Sequence, residues 1–149
     1  ARDKDVARIA LTGIVDRPGQ AYKIFSRLAQ KKINVDLIIQ SIGHEDVKDI
    51  SFTVTKENLQ PAIQTLEENK EYIGFTDIKT DENIVKVSVV GAGVASNAGV
   101  ASKVFEALYD ANINIHMIST SEIKISVLLD AVDGDRAMRV IHDKFDFTM

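Results

Sequence analysis

The sequence predicts an α+β protein built from two related units, each combining an antiparallel sheet with two helices. Residues 19–25 are matched later in the chain by residues 99–105, and residues 33–38 are matched by residues 113–118. In both copies, strand-like alternation and helix-like spacing of apolar residues follow one another in the same order. A repeat of this length indicates two related units rather than one larger core.

The chain length of 149 residues suits two small units, which we place at residues 1–74 and 75–145. A unit of about 70 residues buries only about 60% of the surface that its unfolded chain exposes, so its stability is marginal. We therefore expect each unit to pack on the other or on a partner chain.

The first unit is predicted to have the order β-α-β-β-α. Residues 8–14, 34–41 and 48–55 are rich in β-branched or alternating apolar residues, which is typical of strands. Asn58 is a plausible N-cap for the second helix and places Pro61 in the first turn, where proline is tolerated. The apolar residues that define the first helix fall on one face: Ala21, Ile24, Phe25, Leu28 and Ala29.

The second unit repeats this order. Its predicted strands and helices are residues 84–90, 99–111, 115–119, 123–130 and 135–145.

One further strand, residues 75–79, is joined to residues 84–90 by a short polar connection that predicts a hairpin. This places residues 75–79 as the fourth strand of the second unit. The first unit then lacks a fourth strand, and within this chain only a segment near residues 146–149 can supply it. The predicted second unit is thus inserted before the last strand of the first.

Composition excludes several classes of function. The formal net charge of −4 argues against a nucleic-acid partner, which usually requires a basic patch. The absence of cysteine excludes disulfides, thiolate catalysis and zinc–cysteine sites, and it favours a reducing compartment such as the cytoplasm. No apolar run reaches the roughly 20 residues that span a membrane, so we expect no membrane partner.

No catalytic residue or metal site is predicted. His44, His116 and His142 lack the spacing of metal ligands, and no Ser–His–Asp arrangement can be supported.

The turn that enters the first helix is the candidate site. A helix start has about four unpaired backbone N–H groups and a partial positive charge, so it favours a carboxylate or phosphate. Gly19 leaves room for approach, Pro18 stiffens the turn and Asp16 supplies a negative charge, which together suit a zwitterion. Asn34 and Gln40 could then hydrogen-bond its side chain. The alternative is an ordinary turn in which Asp16 is only a cap.

The second copy has different chemistry at this turn. The sequence Ser96-Asn97-Ala98-Gly99 keeps the glycine but lacks the aspartate and the proline, and His116 stands where the first copy has Asp36. The second turn binds a different ligand, binds none, or contributes to a shared site.

Several segments resemble a known family. Gly13-Ile14-Val15-Asp16-Arg17-Pro18-Gly19-Gln20-Ala21, followed by Ile33-Asn34-Val35-Asp36, resembles an ACT domain, the small-molecule sensing module of amino-acid metabolism. Residues 86–93, 112–115 and 118–126 resemble the paired ACT domains of aspartate kinase. The resemblance covers nearly the whole chain and implies two ferredoxin-like units of βαββαβ order, with the helices on one face of each sheet.

This resemblance also implies a function. ACT pairs of this kind bind end-product amino acids, here threonine, lysine or both, and inhibit the phosphorylation of aspartate. The chain has no kinase domain, so it looks like the regulatory half alone, either a natural small subunit or a cut piece. Its implied partners are a second copy of itself and an aspartate kinase catalytic domain or subunit. The implied cofactors, ATP and magnesium, belong only to that absent kinase domain.

The resemblance further implies where the effector binds, namely between the first unit of one chain and the second unit of a partner chain. One side of the pocket would be Asp16, Gly19, Ala21 and Gln40, and the other side Asn114 and Ile115. The second, pseudo-equivalent pocket would use Ser96, Gly99, Asn34 and Val35. Neighbouring positions complete the predicted set: Pro18, Gln20, Asn97, Ala98, Val100 and His116.

Two other classes share this order of elements. An RNA-recognition module would need exposed aromatic residues on the central strands and a basic face, and Phe52 alone does not supply them. A small ferredoxin-like hydrolase would need a convergent catalytic set, and Arg17 with Asn34 lacks a second catalytic group. An allosteric amino-acid sensor therefore remains the leading hypothesis.

Overall fold

The structure, a computed structural model, describes residues 2–41, 43–91 and 98–146. The chain forms two compact units. The first unit is Val6–Glu82, and the second unit consists of the described residues before Val6 and after Glu82. The described elements in chain order are β1 (Arg2–Asp3), β2 (Ala7–Val15), α1 (Gln20–Gln30), β3 (Ile38–Gln40), β4 (Val47–Val54), α2 (Leu59–Glu68), α3 (Lys70–Ile73), β5 (Asp77–Asp81), β6 (Ile84–Val90), α4 (Ala98–Asp110), β7 (Ile115–Thr120), β8 (Lys124–Asp130) and α5 (Gly134–Asp146).

The first unit is a four-stranded antiparallel sheet in the order β3-β4-β2-β5, with α1, α2 and α3 packed against it. Alternate residues of β2 and β4, such as Ile9 and Phe52, are opposite in register and fully buried. Phe25 of α1 meets Phe52 edge to face, with ring centroids 5.4 Å apart, a favoured aromatic geometry. The predicted β-α-β-β-α order of this unit is confirmed, whereas its fourth strand comes from another segment than predicted.

The buried face of α1 is rotated slightly from the predicted one. Gln20, Ile24 and Leu28 are buried, whereas Ala21 and Ala29 are exposed. Small alanine side chains do not identify a core face, because either side of a helix accommodates them. The position of Gln20 matters for the site described below.

The second unit has the same architecture, with sheet order β1-β6-β8-β7. Val85 and Val87 of β6 stand opposite Leu129 and Val127 of β8, and all four are buried in one core with Leu108 of α4. The two sheets and their helices confirm the predicted class, two ferredoxin-like units.

The predicted order of insertion is wrong. Residues 77–81 form β5 in the first sheet, where Ile78 stands opposite Leu11, rather than a strand of the second unit. The fourth strand of the second sheet is β1, with Arg2 opposite Val87. The first unit is therefore inserted into the second, and the boundary predicted between residues 74 and 75 lies after Glu82.

The physical reason lies in the turn after α3. Gly74 has a φ of 84°, a conformation suited to glycine, and it turns the chain out of α3. The strand that follows runs along β2, where Ile78 adds to the first core. A short polar connection looks the same in sequence whether it joins two strands of one sheet or leads to another sheet. The strand expected near residues 146–149 falls mostly on 147–149, which lie outside the described residues.

The strand predicted over residues 34–41 is also shorter, at Ile38–Gln40. The backbone N–H of Leu37 donates to the Thr53 hydroxyl over 3.0 Å, and that of Asp36 donates to the Thr53 carbonyl over 3.1 Å. This irregular pairing replaces regular strand geometry before Ile38.

Candidate functional site

The start of α1 is an open helix terminus. Gly19 precedes the helix with a φ of 92°, and no side chain in the described ranges forms a cap hydrogen bond there. A Cβ built on Gly19 meets no atom within 4 Å, so the space beside it is accessible. Pro18 and Ala21, on either side, are exposed as well. This geometry leaves the backbone donors of the first turn open to an anionic group.

Asp16 is held beside this helix start by the loop between β3 and β4. Its N–H donates to the carbonyl of Asp46 over 2.7 Å. A Cβ on Gly43 would lie only 1.9 Å from Asp16 Oδ2, so the carboxylate packs directly on that glycine. This close approach fixes Asp16 in place and explains why residue 43 is a glycine.

A cation accompanies Asp16 that the sequence analysis did not identify. Lys48 Nζ lies 3.3 Å from Asp16 Oδ1, and the Lys48 side chain is only 11% exposed against 41% for Asp16. Sequence reasoning missed Lys48 because a lysine on a half-polar strand usually lies in solvent. Its register opposite Ile14, at the end of β2, could have placed it next to the turn.

Gln20 was predicted as a site residue, and the structure buries it at 1% exposure. Its Nε2 donates to the carbonyl of Ile73 over 2.6 Å, while its Oε1 has no hydrogen-bond partner among the described atoms. The backbone N–H of Val15 donates to the carbonyl of Gly74 over 3.3 Å. Two hydrogen bonds therefore tie the site loop, residues 15–20, to the end of α3.

Gly13 sets the direction in which β2 enters the site loop. Its φ is 67°, and the ladder between β2 and β4 shifts register between Leu11 and Ile14, the signature of a bulge. The N–H of Gly13 donates to Asp49 Oδ1 over 3.1 Å, and a Cβ here would lie 2.3 Å from Thr76 Oγ1.

The remaining predicted residues of the first unit are spread over both ends of α1. Gln40 is the exposed last residue of β3, the strand that leads into the loop carrying Gly43. Exposed Asn34 and half-buried Val35 follow the other end of α1. The helix has 11 residues, about 16 Å in length. The first unit alone therefore does not bring Asn34 and Val35 to Asp16.

In the second unit, Ser96 and Asn97 lie outside the described residues. Ala98 begins α4, with Gly99 exposed and Val100 half-buried in its first turn. Asn114 is exposed just before β7, and Ile115 packs against the second core. His116 lies at a register shift of β7, where its Nε2 is 2.7 Å from Asp130 Oδ1, so an acidic partner already contacts this ring.

The described part of the chain offers little for other chemistry. No group of three or more His, Asp or Glu side chains within it could hold a metal ion. None of its helices is long and apolar enough to cross a membrane.

Comparison with known proteins identifies the family. The family model for the ACT domain matches residues 9–69 and 87–145, one match in each unit. The chain is 41% identical to the ligand-free regulatory subunit of aspartate kinase from Thermus thermophilus, covering 97% of this chain and 95% of that one with a TM-score of 0.92. The chain belongs to the ACT domain family, as a regulatory region of the aspartate kinase type.

Other relatives agree with this assignment. One chain in a crystal structure of aspartokinase alpha and beta subunits is 44% identical, with a TM-score of 0.91 over 98% of this chain and 96% of that one. The aspartokinase of Helicobacter pylori is 49% identical over 143 residues, which is 95% of this chain and 35% of that protein. The chain thus spans about a third of the length of the curated relatives that it matches.

Proposed function

We propose that the chain senses end-product amino acids, threonine or lysine, and carries feedback inhibition to an aspartate kinase. The observation that carries the proposal is the open, glycine-capped start of α1 beside Asp16. Backbone donors there suit the α-carboxylate of an amino acid, and Asp16 suits its α-ammonium. Family membership supports a regulatory role for such a site.

The proposal extends to assembly. A pocket shared between Asp16, Gly19, Ala21 and Gln40 of one chain and Asn114 and Ile115 of a second copy would couple effector binding to dimerisation. A relative 44% identical to this chain comes from a structure of aspartokinase alpha and beta subunits, which supports a kinase catalytic subunit or domain as partner. In this proposal ATP and magnesium bind to that kinase part, and the complex works in the cytoplasm.

Titration calorimetry with each of the twenty common amino acids tests the sensing proposal. We expect heat of binding from threonine, with lysine as the second candidate, and none from amino acids outside this biosynthetic branch. The absence of binding by every amino acid at several millimolar would contradict it. A salt-dependent titration with RNA is the parallel test of the RNA-recognition alternative, against which the net charge of −4 already argues.

A further inference from the structure

Lys48 occupies an unusual position for a lysine. It is part of β4 and stands opposite Ile14, the last buried residue of β2 before the site loop. Its side chain is 11% exposed, and its ammonium lies 3.3 Å from Asp16 Oδ1. Lysine side chains are mostly exposed in folded proteins, so one with this little exposure is unusual. The pairing places a fixed positive charge beside the proposed effector site.

We propose that Lys48 determines which amino acid the site selects, disfavouring an effector with a cationic side chain and so favouring threonine over lysine. This inference rests on the proposed function and assigns its specificity to one residue. Asp16 and Lys48 together contribute no net charge to the site. Threonine, a zwitterion, also has no net charge at neutral pH, whereas lysine brings one net positive charge.

The charge of Lys48 favours threonine over lysine whichever way the effector is oriented in the site. Without the positive charge of Lys48, the negative charge of Asp16 is no longer compensated. That negative charge attracts lysine, a net cation, more strongly than threonine, a neutral zwitterion. If Lys48 also contacts the α-carboxylate, both amino acids lose that contact equally. The ratio of the two affinities therefore isolates the charge of Lys48 from any general change at the site.

We assign this role to Lys48 rather than to the neighbouring charged residues because its side chain is the least exposed of them. Arg17 lies in the site loop, and His44, Glu45 and Asp46 lie in the β3–β4 loop. Asp49 follows Lys48 in β4. All five side chains are exposed. Charges in contact with water are strongly screened at physiological ionic strength. The charge of Lys48, mostly removed from water, is screened much less.

The test compares the dissociation constants of threonine and lysine for the parent and for Lys48→Met, by titration calorimetry on the full chain. Methionine keeps the length of the side chain without its charge, and Asp16 is exposed enough to be hydrated alone. We expect the preference for threonine over lysine to fall by about tenfold, the order of magnitude for one unit charge a few ångströms away after screening.

Two further variants separate charge from shape. Lys48→Arg keeps the positive charge, so we expect it to retain the parent's preference. Lys79→Met removes an exposed lysine from β5 in the same unit and should also leave the preference unchanged. A Lys48→Met preference equal to that of the parent overturns this inference while leaving the sensing proposal intact. Binding of neither amino acid to the parent overturns both.

Discussion

Asp16 has two roles in the first unit, as the proposed partner of the effector's ammonium and as the ion-pair partner of Lys48. A residue in an exposed turn usually tolerates alanine, so Asp16→Ala would be expected to leave the fold intact. The structure instead shows that this substitution would leave the nearly buried Lys48 ammonium without the carboxylate 3.3 Å away. An unpaired buried charge is destabilising, so loss of ligand and loss of stability must be separated.

We therefore predict two distinct effects of Asp16→Ala. Effector binding should weaken by roughly 10- to 150-fold, because a hydrogen bond to a charged group contributes about 1.5–3 kcal/mol. Thermal stability should also fall, and the double variant Asp16→Ala/Lys48→Met should recover the stability but not the binding. Calorimetry and thermal unfolding measure the two effects. Glu67→Ala, on the exposed face of α2, is the control. Parent-like binding by Asp16→Ala would place the effector elsewhere.

A second prediction at this scale concerns Gly13. Gly13→Ala should lower the free energy of unfolding by about 1–3 kcal/mol, the usual range for a strained left-handed residue. The φ of 67° is unfavourable for alanine, and its Cβ would lie 2.3 Å from Thr76 Oγ1. Urea denaturation of Gly13→Ala, alone and combined with Thr76→Gly, measures the loss. A smaller loss in the Thr76→Gly background would identify the clash, and an unchanged midpoint for the single variant would refute the bulge geometry.

Among the secondary-structure elements, β1 matters most for the topology. It is only two residues long, yet it completes the second sheet beside β6, and Arg2 also contacts Asp135 at the start of α5. If residues 77–81 had paired with β6 instead, the first five residues would contribute nothing to that sheet.

Removal of residues 1–5 should thus destabilise β6 selectively. We expect faster amide hydrogen exchange in residues 84–90, with the first sheet unchanged, because a lost backbone hydrogen bond contributes about 0.5–1.5 kcal/mol. Exchange measured by NMR or mass spectrometry resolves the two sheets. Equal exchange in the full and shortened chains would contradict the observed pairing of β1.

The long elements could be predicted from the sequence because their apolar period is strong. The predicted helices at residues 99–111 and 135–145 agree with α4 and α5 to within one residue at each end. The fourth strand of each sheet could not be assigned from the sequence. With two residues, β1 is too short to show alternation of apolar residues, and nothing in the β5–β6 connection indicates that the two strands belong to different sheets. The same holds for the site. Asp16 and Gly19 are recognisable in the sequence as a turn motif, whereas Lys48 reaches Asp16 through the register of β4 and Gly43 through the fold of the β3–β4 loop.

At the scale of the whole molecule, the proposed function predicts assembly linked to ligand. We expect a homodimer that tightens when threonine is added, since a ligand bound between copies stabilises only the associated state. Sedimentation velocity with and without threonine, over a range of protein concentrations, measures this. A strict monomer under both conditions would exclude the shared pocket, while a site within one unit would remain.

The same proposal predicts higher thermal stability with effector. A ligand that binds only the folded state adds about 2.7 kcal/mol at 100 times its dissociation constant. Threonine, or lysine as the second candidate, should raise the melting temperature, and an amino acid outside this branch, such as phenylalanine, should not. A melting temperature unaffected by all common amino acids would count against a sensor.

Amide hydrogen exchange with saturating threonine can show whether an amino acid binds at the start of α1 in the first unit. We expect slower exchange in residues 16–24, where backbone donors would face the α-carboxylate, and a loss of this protection in Asp16→Ala/Lys48→Met. Lysine should protect the same amides if it is the effector instead. If neither amino acid slows exchange in residues 16–24, the effector does not bind at the start of α1.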